Sequence, residues 1–169
     1  MGKKFGSGGT NTWGDKMSEI EVRELKPDEY KMWDELVDIS PQGTIFHKLD
    51  WLKIVERHTN SKLYLFAGYL GNEIIASIPF FYHRDFYFKK LSSPVGSAMI
   101  QNLGPLIPNY DDLKQDKREY YFREFQKELD KYIHSKIKPH VITITTSPNL
   151  IDARPYISVS YTHLTLPTN

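Results

Sequence analysis

The stretch from Leu63 to His83 constrains this chain more than any other. Two runs rich in aliphatic and aromatic residues, Leu63 to Leu70 and Glu73 to His83, are separated only by Gly71-Asn72. So short a connection with a glycine in it predicts a tight hairpin, because the turn needs a positive φ that glycine adopts without steric penalty. An antiparallel strand pair therefore sits near the middle of the chain, and the other segments must pack around it. Arg84-Asp85 reads as a second reversal. Phe86 to Leu91 then returns as a further strand, broken by Ser92-Ser93-Pro94.

Helical spacing surrounds the hairpin. Ile20, Val22 and Leu25 form a short strand-like run ending at Lys26. Pro27, Asp28 and Glu29 then suit a first helical turn, since proline loses no bond there and acids complement the helix dipole. Tyr30, Trp33, Leu36 and Val37 continue at helical spacing until Ser40-Pro41-Gln42-Gly43 ends the helix. A second helix is expected from about Lys48 to Arg57, with Trp51, Leu52 and Val55 on one face. The clearest helix is Asp116 to Ile137, where Phe122, Phe125, Leu129 and Ile133 share a face.

Between the hairpin and that helix, Val95 to Pro108 is apolar but broken by two glycines and two prolines. Val141 to Thr146 (VITITT) reads as a strand, apolar or β-branched throughout, and predicts neighbours on both sides. The order is thus βα, α, a β-meander, a long α, then β. The economical solution is an α/β (α+β) domain, a mixed, largely antiparallel sheet covered by helices.

Composition excludes several functions. Of 169 residues, 22 are basic and 21 acidic, a net charge of +1, so charge alone makes DNA an unlikely partner. There is no cysteine, hence no disulfide, thiolate nucleophile or cysteine metal site, in keeping with a reducing compartment. The six histidines show no HExxH pattern, and no metal site is expected. No stretch is long and apolar enough for a transmembrane helix, and the lysines near the start are followed by no secretory core. The expected location is cytoplasmic.

Motifs for phosphate binding and covalent catalysis are absent too. Gln101-Asn102-Leu103-Gly104-Pro105-Leu106 opens like a pyrophosphate loop, but Pro105 removes a backbone donor and no helix follows. No GxSxG elbow exists, and no catalytic residue can be assigned.

Four residues stand as candidates for substrate binding. His47 and Lys48 sit at the start of the second helix, where an exposed pair beside free backbone amides offers a place for an anion or a carbonyl. The bland alternative has Phe46 and Trp51 packing the core and His47 as an ordinary residue at the helix start. Tyr82 and Arg84 lie in Phe80 to Lys90 (FFYHRDFYFKK), which interleaves aromatics with cations. Single-stranded nucleic acid binders use such faces; a hairpin with one core face and a solvated tip explains the same residues. A noncatalytic module holding a carbohydrate or nucleic acid on this hairpin is thus the alternative to an enzyme.

Several local motifs fall in a specific order. Trp33-Asp34-Glu35-Leu36-Val37 is followed by Ser40-Pro41-Gln42-Gly43-Thr44-Ile45-Phe46-His47 and Asp50-Trp51-Leu52. Gly71-Asn72-Glu73-Ile74-Ile75-Ala76, Ile78-Pro79-Phe80, Leu91-Ser92-Ser93-Pro94 and Leu103-Gly104-Pro105-Leu106 come next. Ser147-Pro148, Asp152 and Arg154-Pro155-Tyr156 complete the series. In this order they resemble the first part of FemAB-like acyltransferases of the GNAT superfamily.

The resemblance implies a GNAT-like mixed sheet with flanking helices, as one of two such units. It implies transfer of an acyl or aminoacyl group from an activated donor, acyl-CoA or aminoacyl-tRNA, to an amine or sugar acceptor. The acceptor would be a small molecule or a cell-wall precursor, with modification of wall or polysaccharide as the outcome. No catalytic residue of the family maps onto a position here.

The ends carry expectations of their own. Residues 1–16 read as a flexible leader, or as upstream sequence translated ahead of a true start at Met17, and residues 17–157 as the GNAT-like domain. Residues 158–169 (SVSYTHLTLPTN) resemble a reading frame through a sequencing-adapter transposon end. The expected domain is therefore incomplete at its C-terminus, a fragment inactive as cut.

Overall fold

The computed structural model describes residues 20–84, 86–98, 100 and 102–147. The expected leader (1–16), the expected tail (158–169) and the motif residues Pro148, Asp152 and Arg154-Pro155-Tyr156 lie outside the described residues.

Among the described residues, five strands form one sheet in chain order: β1 (Ile20–Glu24), β2 (Lys62–Leu70), β3 (Glu73–Arg84), β4 (Lys89–Ser93) and β5 (Val141–Ile144). β1 to β4 pair antiparallel in succession, and β5 is parallel to β4. Flanking it among the described residues are α1 (Tyr30–Asp38), α2 (Leu49–His58) and α3 (Gln115–Tyr132). This is the mixed, largely antiparallel sheet with helices that the element order predicts. A parallel neighbour needs a long crossover, and α3 lies within it.

Alternation along β2 sorts the helices onto two faces. Leu63, Leu65 and Ala67 join Trp33 and Val37 of α1 and Leu52 and Val55 of α2 in one core. Phe66 joins Phe122, Phe125 and Leu129 of α3 in the other. Each fully buried aliphatic or phenyl side chain contributes about 1.5–3 kcal/mol, so both faces are needed to hold the sheet.

The hairpin turn is as expected. Leu70 pairs with Glu73, and Gly71 takes a φ of 64°. A bulge between Gly68 and Tyr69 places an additional β3 residue, Ile75, opposite them.

Two details differ from the sequence reading. The return strand does not begin at Phe86: Phe86, Tyr87 and Phe88 are exposed, and β4 runs from Lys89 through the buried Ser92 and Ser93. Their β-propensity is not expressed because no facing strand surface covers them. Next, α3 gives way after Tyr132 to a π-helical turn, Ile133–Ile137, closed by Lys138 at a φ of 52°. Among the described residues VITITT pairs with β4, its partly buried Ile142 and Ile144 packing against the core beneath α3 while Val141 and Thr143 are exposed.

Candidate functional site

The sheet changes character where its parallel pair ends. β4 stops at Ser93, and the chain loops back so that the segment after Asn102 closes the gap between β3 and β5. Thr145 N–H donates to the Ser93 carbonyl (2.8 Å), and Leu103 N–H donates to the Thr145 carbonyl (3.2 Å). Further along, Leu106 and Ser77 exchange both backbone bonds, at 2.7 and 2.8 Å. The Ser93 hydroxyl donates to the Leu103 carbonyl. Gly104 lies so close to β5 that a Cβ there would be 2.8 Å from Thr146 Cα, which only glycine avoids.

Side chains from the α1–α2 connection meet this segment. Gln42 accepts the Ile107 N–H through Oε1 (3.2 Å), while its Nε2 is buried without a hydrogen-bond partner. His47 lies in a 3-10 turn, Ile45–His47, and is 1% exposed. Its Nδ1 receives the Thr44 backbone N–H at 3.3 Å and lies 2.9 Å from Thr44 Oγ1. Because a backbone N–H can only donate, Nδ1 is the acceptor, and the proton of the neutral ring is on Nε2. Nε2 is buried and meets no partner at hydrogen-bond geometry.

Burial pushes the His47 pKa down to about 4, with the Gly104 backbone acting in the opposite sense. At neutral pH the imidazole is therefore a buried N–H donor rather than a base. Its own carbonyl accepts a 2.7 Å bond from Trp33 Nε1, which ties the turn to α1. Ser77 Oγ, on the same side of the sheet, is also buried and unpartnered.

The structure thus assembles a buried seam of amide, imidazole and hydroxyl groups along Gly104 to Ile107. Such groups can orient a backbone segment and stabilise charge on an oxygen. Among them is no group poised to accept a proton at neutral pH.

The four residues predicted from sequence do not converge. His47 joins the seam, but buried rather than exposed as expected. Lys48 points away, donating to Asp38 Oδ1 (2.5 Å) and to the Asp34 carbonyl (3.1 Å). The start of α2 already holds an anion of the protein's own, because Asp34 Oδ1 accepts the Leu49 N–H at 2.9 Å. An external anion is displaced there by α1. Phe46 meets Trp51 edge-on at 5.4 Å, yet remains partly exposed. Tyr82 lies on the α3 face against Tyr64, and Arg84 lies at the opposite end of β4, paired in register with Lys89.

Sequence reasoning missed Gln42, Ser77 and Ser93. Serines inside the apolar strands Ile74–Phe81 and Leu91–Ser93 were the available signal, because an isolated polar residue on a buried strand needs a partner. The pyrophosphate loop is excluded by more than Pro105: the amides of Leu103, Leu106 and Ile107 are all bonded within the protein. Among the described residues no group of three or more histidines and carboxylates is placed to hold a metal, and no helix is long and apolar enough to cross a membrane.

No family model matches the chain, and no curated protein matches it in sequence. Solved structures do align with it. A transcriptional regulator from Bacillus halodurans C-125 aligns at 10% identity over 89% of this chain and 97% of that one, with a TM-score of 0.47. A GNAT family acetyltransferase of Staphylococcus aureus aligns at 13% identity over 76% and 87%, with a TM-score of 0.46. An aminoglycoside acetyltransferase from an uncultured soil metagenomic sample, in complex with trehalose, aligns at 10% identity over 89% and 91%, with a TM-score of 0.48.

Proposed function

We propose that the chain is a GNAT-like unit of a FemAB-like acyl or aminoacyl transferase. It takes the acyl group of an activated donor, acyl-CoA or aminoacyl-tRNA, to an amine or sugar hydroxyl on a small molecule or cell-wall precursor. The observation that carries this reading is the parallel β4–β5 pair closed at its C-terminal end by Leu103-Gly104-Pro105. That is one of the motifs by which the sequence resembles the family, and it lies at a carboxyl strand end beside a change in sheet direction. Ligands of open α/β sheets bind at such places.

The chemistry suits the residues. In direct transfer the acceptor attacks the donor carbonyl, a C–N or C–O bond forms, and the bond to the CoA sulfur or the tRNA ribose oxygen breaks. The acceptor loses its proton and the leaving group gains one. The protein contributes orientation and donors to the developing oxyanion, without a nucleophile of its own. The seam supplies rigidity, its amides at Leu103, Leu106 and Ile107 being bonded within the protein. His47 is assigned there as a positioning residue, acting on the Gly104 segment.

The absence of cysteine makes the test clean, because any thiol that appears is CoA. The full chain is incubated with acetyl-CoA and a panel of amines, and thiol release is followed with Ellman's reagent. In parallel, binding of acetyl-CoA and of aminoacyl-tRNA is measured by calorimetry. Saturable binding of one donor is expected, and Gly104→Val should abolish it in a chain that still melts cooperatively. Failure to bind either donor rejects the reading, and so does thiol release by this chain acting as a complete acetyltransferase.

A further inference from the structure

The tip between β3 and β4 exposes three consecutive aromatic residues. Phe86 is 100% exposed, Tyr87 84% and Phe88 62%. Among the described residues the other aromatics are buried or half-buried apart from Phe46, and Phe66, Phe80, Phe81 and Phe125 are at 0%. Three consecutive exposed rings are thus a local concentration of bare apolar surface.

Cations surround the rings. Arg84 precedes them and Lys89 and Lys90 follow, against Asp85 as the sole acid from Arg84 to Lys90. The register places Lys89 opposite Arg84 and Lys90 beside Val141, so the start of β5 shares this end of the sheet. Lys138, exposed at the end of the π-helical turn, adds another positive charge just before β5. With a net charge of only +1 over the whole chain, this concentration is positional rather than compositional.

The tip is also braced. Lys89 N–H donates to His140 Nδ1 at 3.1 Å, His140 N–H donates to the Lys89 carbonyl at 2.8 Å, and the Phe88 ring meets the His140 ring edge-on at 6.1 Å. A braced tip loses little conformational entropy on docking.

We propose that this tip docks on an anionic lipid bilayer, with Phe86, Tyr87 and Phe88 at the headgroup level and Arg84, Lys89 and Lys90 against the lipid phosphates. Aromatic rings partition into the membrane interface, and nearby cations are attracted to its negative surface. Charge complementarity selects this occupant. The arrangement of the rings opposes a stacking platform for nucleic acid: successive residues on a bend do not share one flat face, as stacked bases require. Insertion into an interface requires no shared face. The inference does not rest on acyl transfer.

The experiment floats the full chain with vesicles of phosphatidylcholine, with and without phosphatidylglycerol. Flotation only with the anionic vesicles is expected, weakened by salt. Phe86→Ser, Tyr87→Ser and Phe88→Ser together should lower partitioning by at least about tenfold, and Lys89→Gln with Lys90→Gln by about tenfold. Both variants should still melt cooperatively, because Phe86, Tyr87, Phe88 and Lys90 are exposed and Lys89 is only half-buried. Absence of flotation, or flotation indifferent to the triple change, overturns the proposal. So does a triple variant that loses oligouridylate binding or self-association while the parent ignores vesicles.

Discussion

The Phe125 ring of α3 lies directly over Gly68 of β2, leaving no room for a methyl group on that strand residue. A Cβ at Gly68 would overlap Phe125 Cδ2 and sit 3.0 Å from Cε2. Helix and sheet are thus in contact through a ring and a bare backbone. Gly68→Ala should destabilise the fold by about 1–3 kcal/mol through overpacking, and Phe125→Ala by about 3–5 kcal/mol through the cavity left. Together they should cost about 1 kcal/mol less than their sum, because removing the ring makes room for the methyl. Urea unfolding of the four proteins measures this, and strict additivity would contradict the contact.

His47 predicts a pH dependence of defined sign. Its pKa falls from the ordinary 6.5 to about 4 on folding, chiefly through burial. The unfolded chain therefore binds a proton at higher pH than the folded one. The stability is fully present above pH 6.5 and is lost as pH falls through the window toward 4, to an extent on the order of 3 kcal/mol. His47→Gln should remove that slope, as seen in urea midpoints across the window. An unchanged slope would show that another group produces it.

Two buried serines should respond in opposite ways. The Ser93 hydroxyl bonds the Leu103 carbonyl, whereas Ser77 Oγ has no partner. Ser93→Ala should destabilise by about 1–2 kcal/mol because it leaves a buried carbonyl short of a donor. Ser77→Ala should be neutral or mildly stabilising, because it removes a buried hydroxyl that returns nothing. Thermal melts decide, and a severe loss in Ser77→Ala would mean that its hydroxyl is bonded.

Arg23 joins β1 to the turn before α1. Its two terminal nitrogens grip Glu29 at 2.7 and 2.8 Å, and one also reaches Tyr69 Oη at 2.8 Å. The Arg23 bond, followed by the Lys26 N–H, holds the Glu29 pKa down to about 2 from 4.5. A depressed carboxylate stabilises above 4.5 and loses that contribution as pH falls toward 2, a window below that of His47. Solvent reaches both partners, so Glu29→Gln should cost only about 1 kcal/mol or less. NMR titration of the Glu29 carboxylate would test the shift directly.

The parts of this fold legible in the sequence are those whose cause is local. Gly71 announces a turn because its positive φ is a property of that residue, and Phe122 to Ile133 announce a helix face by spacing alone. The exposed Phe86–Phe88 misled because aromatic propensity does not say whether a facing surface exists. The burial of His47 was illegible for the same kind of reason. It depends on contact with Gly104, far along the chain. Gln42 looked like a turn residue, which it is, but its amide also holds Ile107. Only tertiary proximity reveals that second role.

The parallel pairing of β4 with β5 has a consequence for how the molecule assembles. The β2–β3 hairpin closes over two residues, whereas β5 reaches β4 only after α3 has been placed, at a much larger entropy of loop closure. The meander is therefore expected to form early and β5 to dock late. The same asymmetry should persist in the native state, with amide hydrogens of β5 exchanging before those of β2 and β3. Thr145, whose carbonyl accepts the Leu103 N–H, follows directly on β5. The Gly104 seam would thus loosen with β5 while β1 to β4 remain intact.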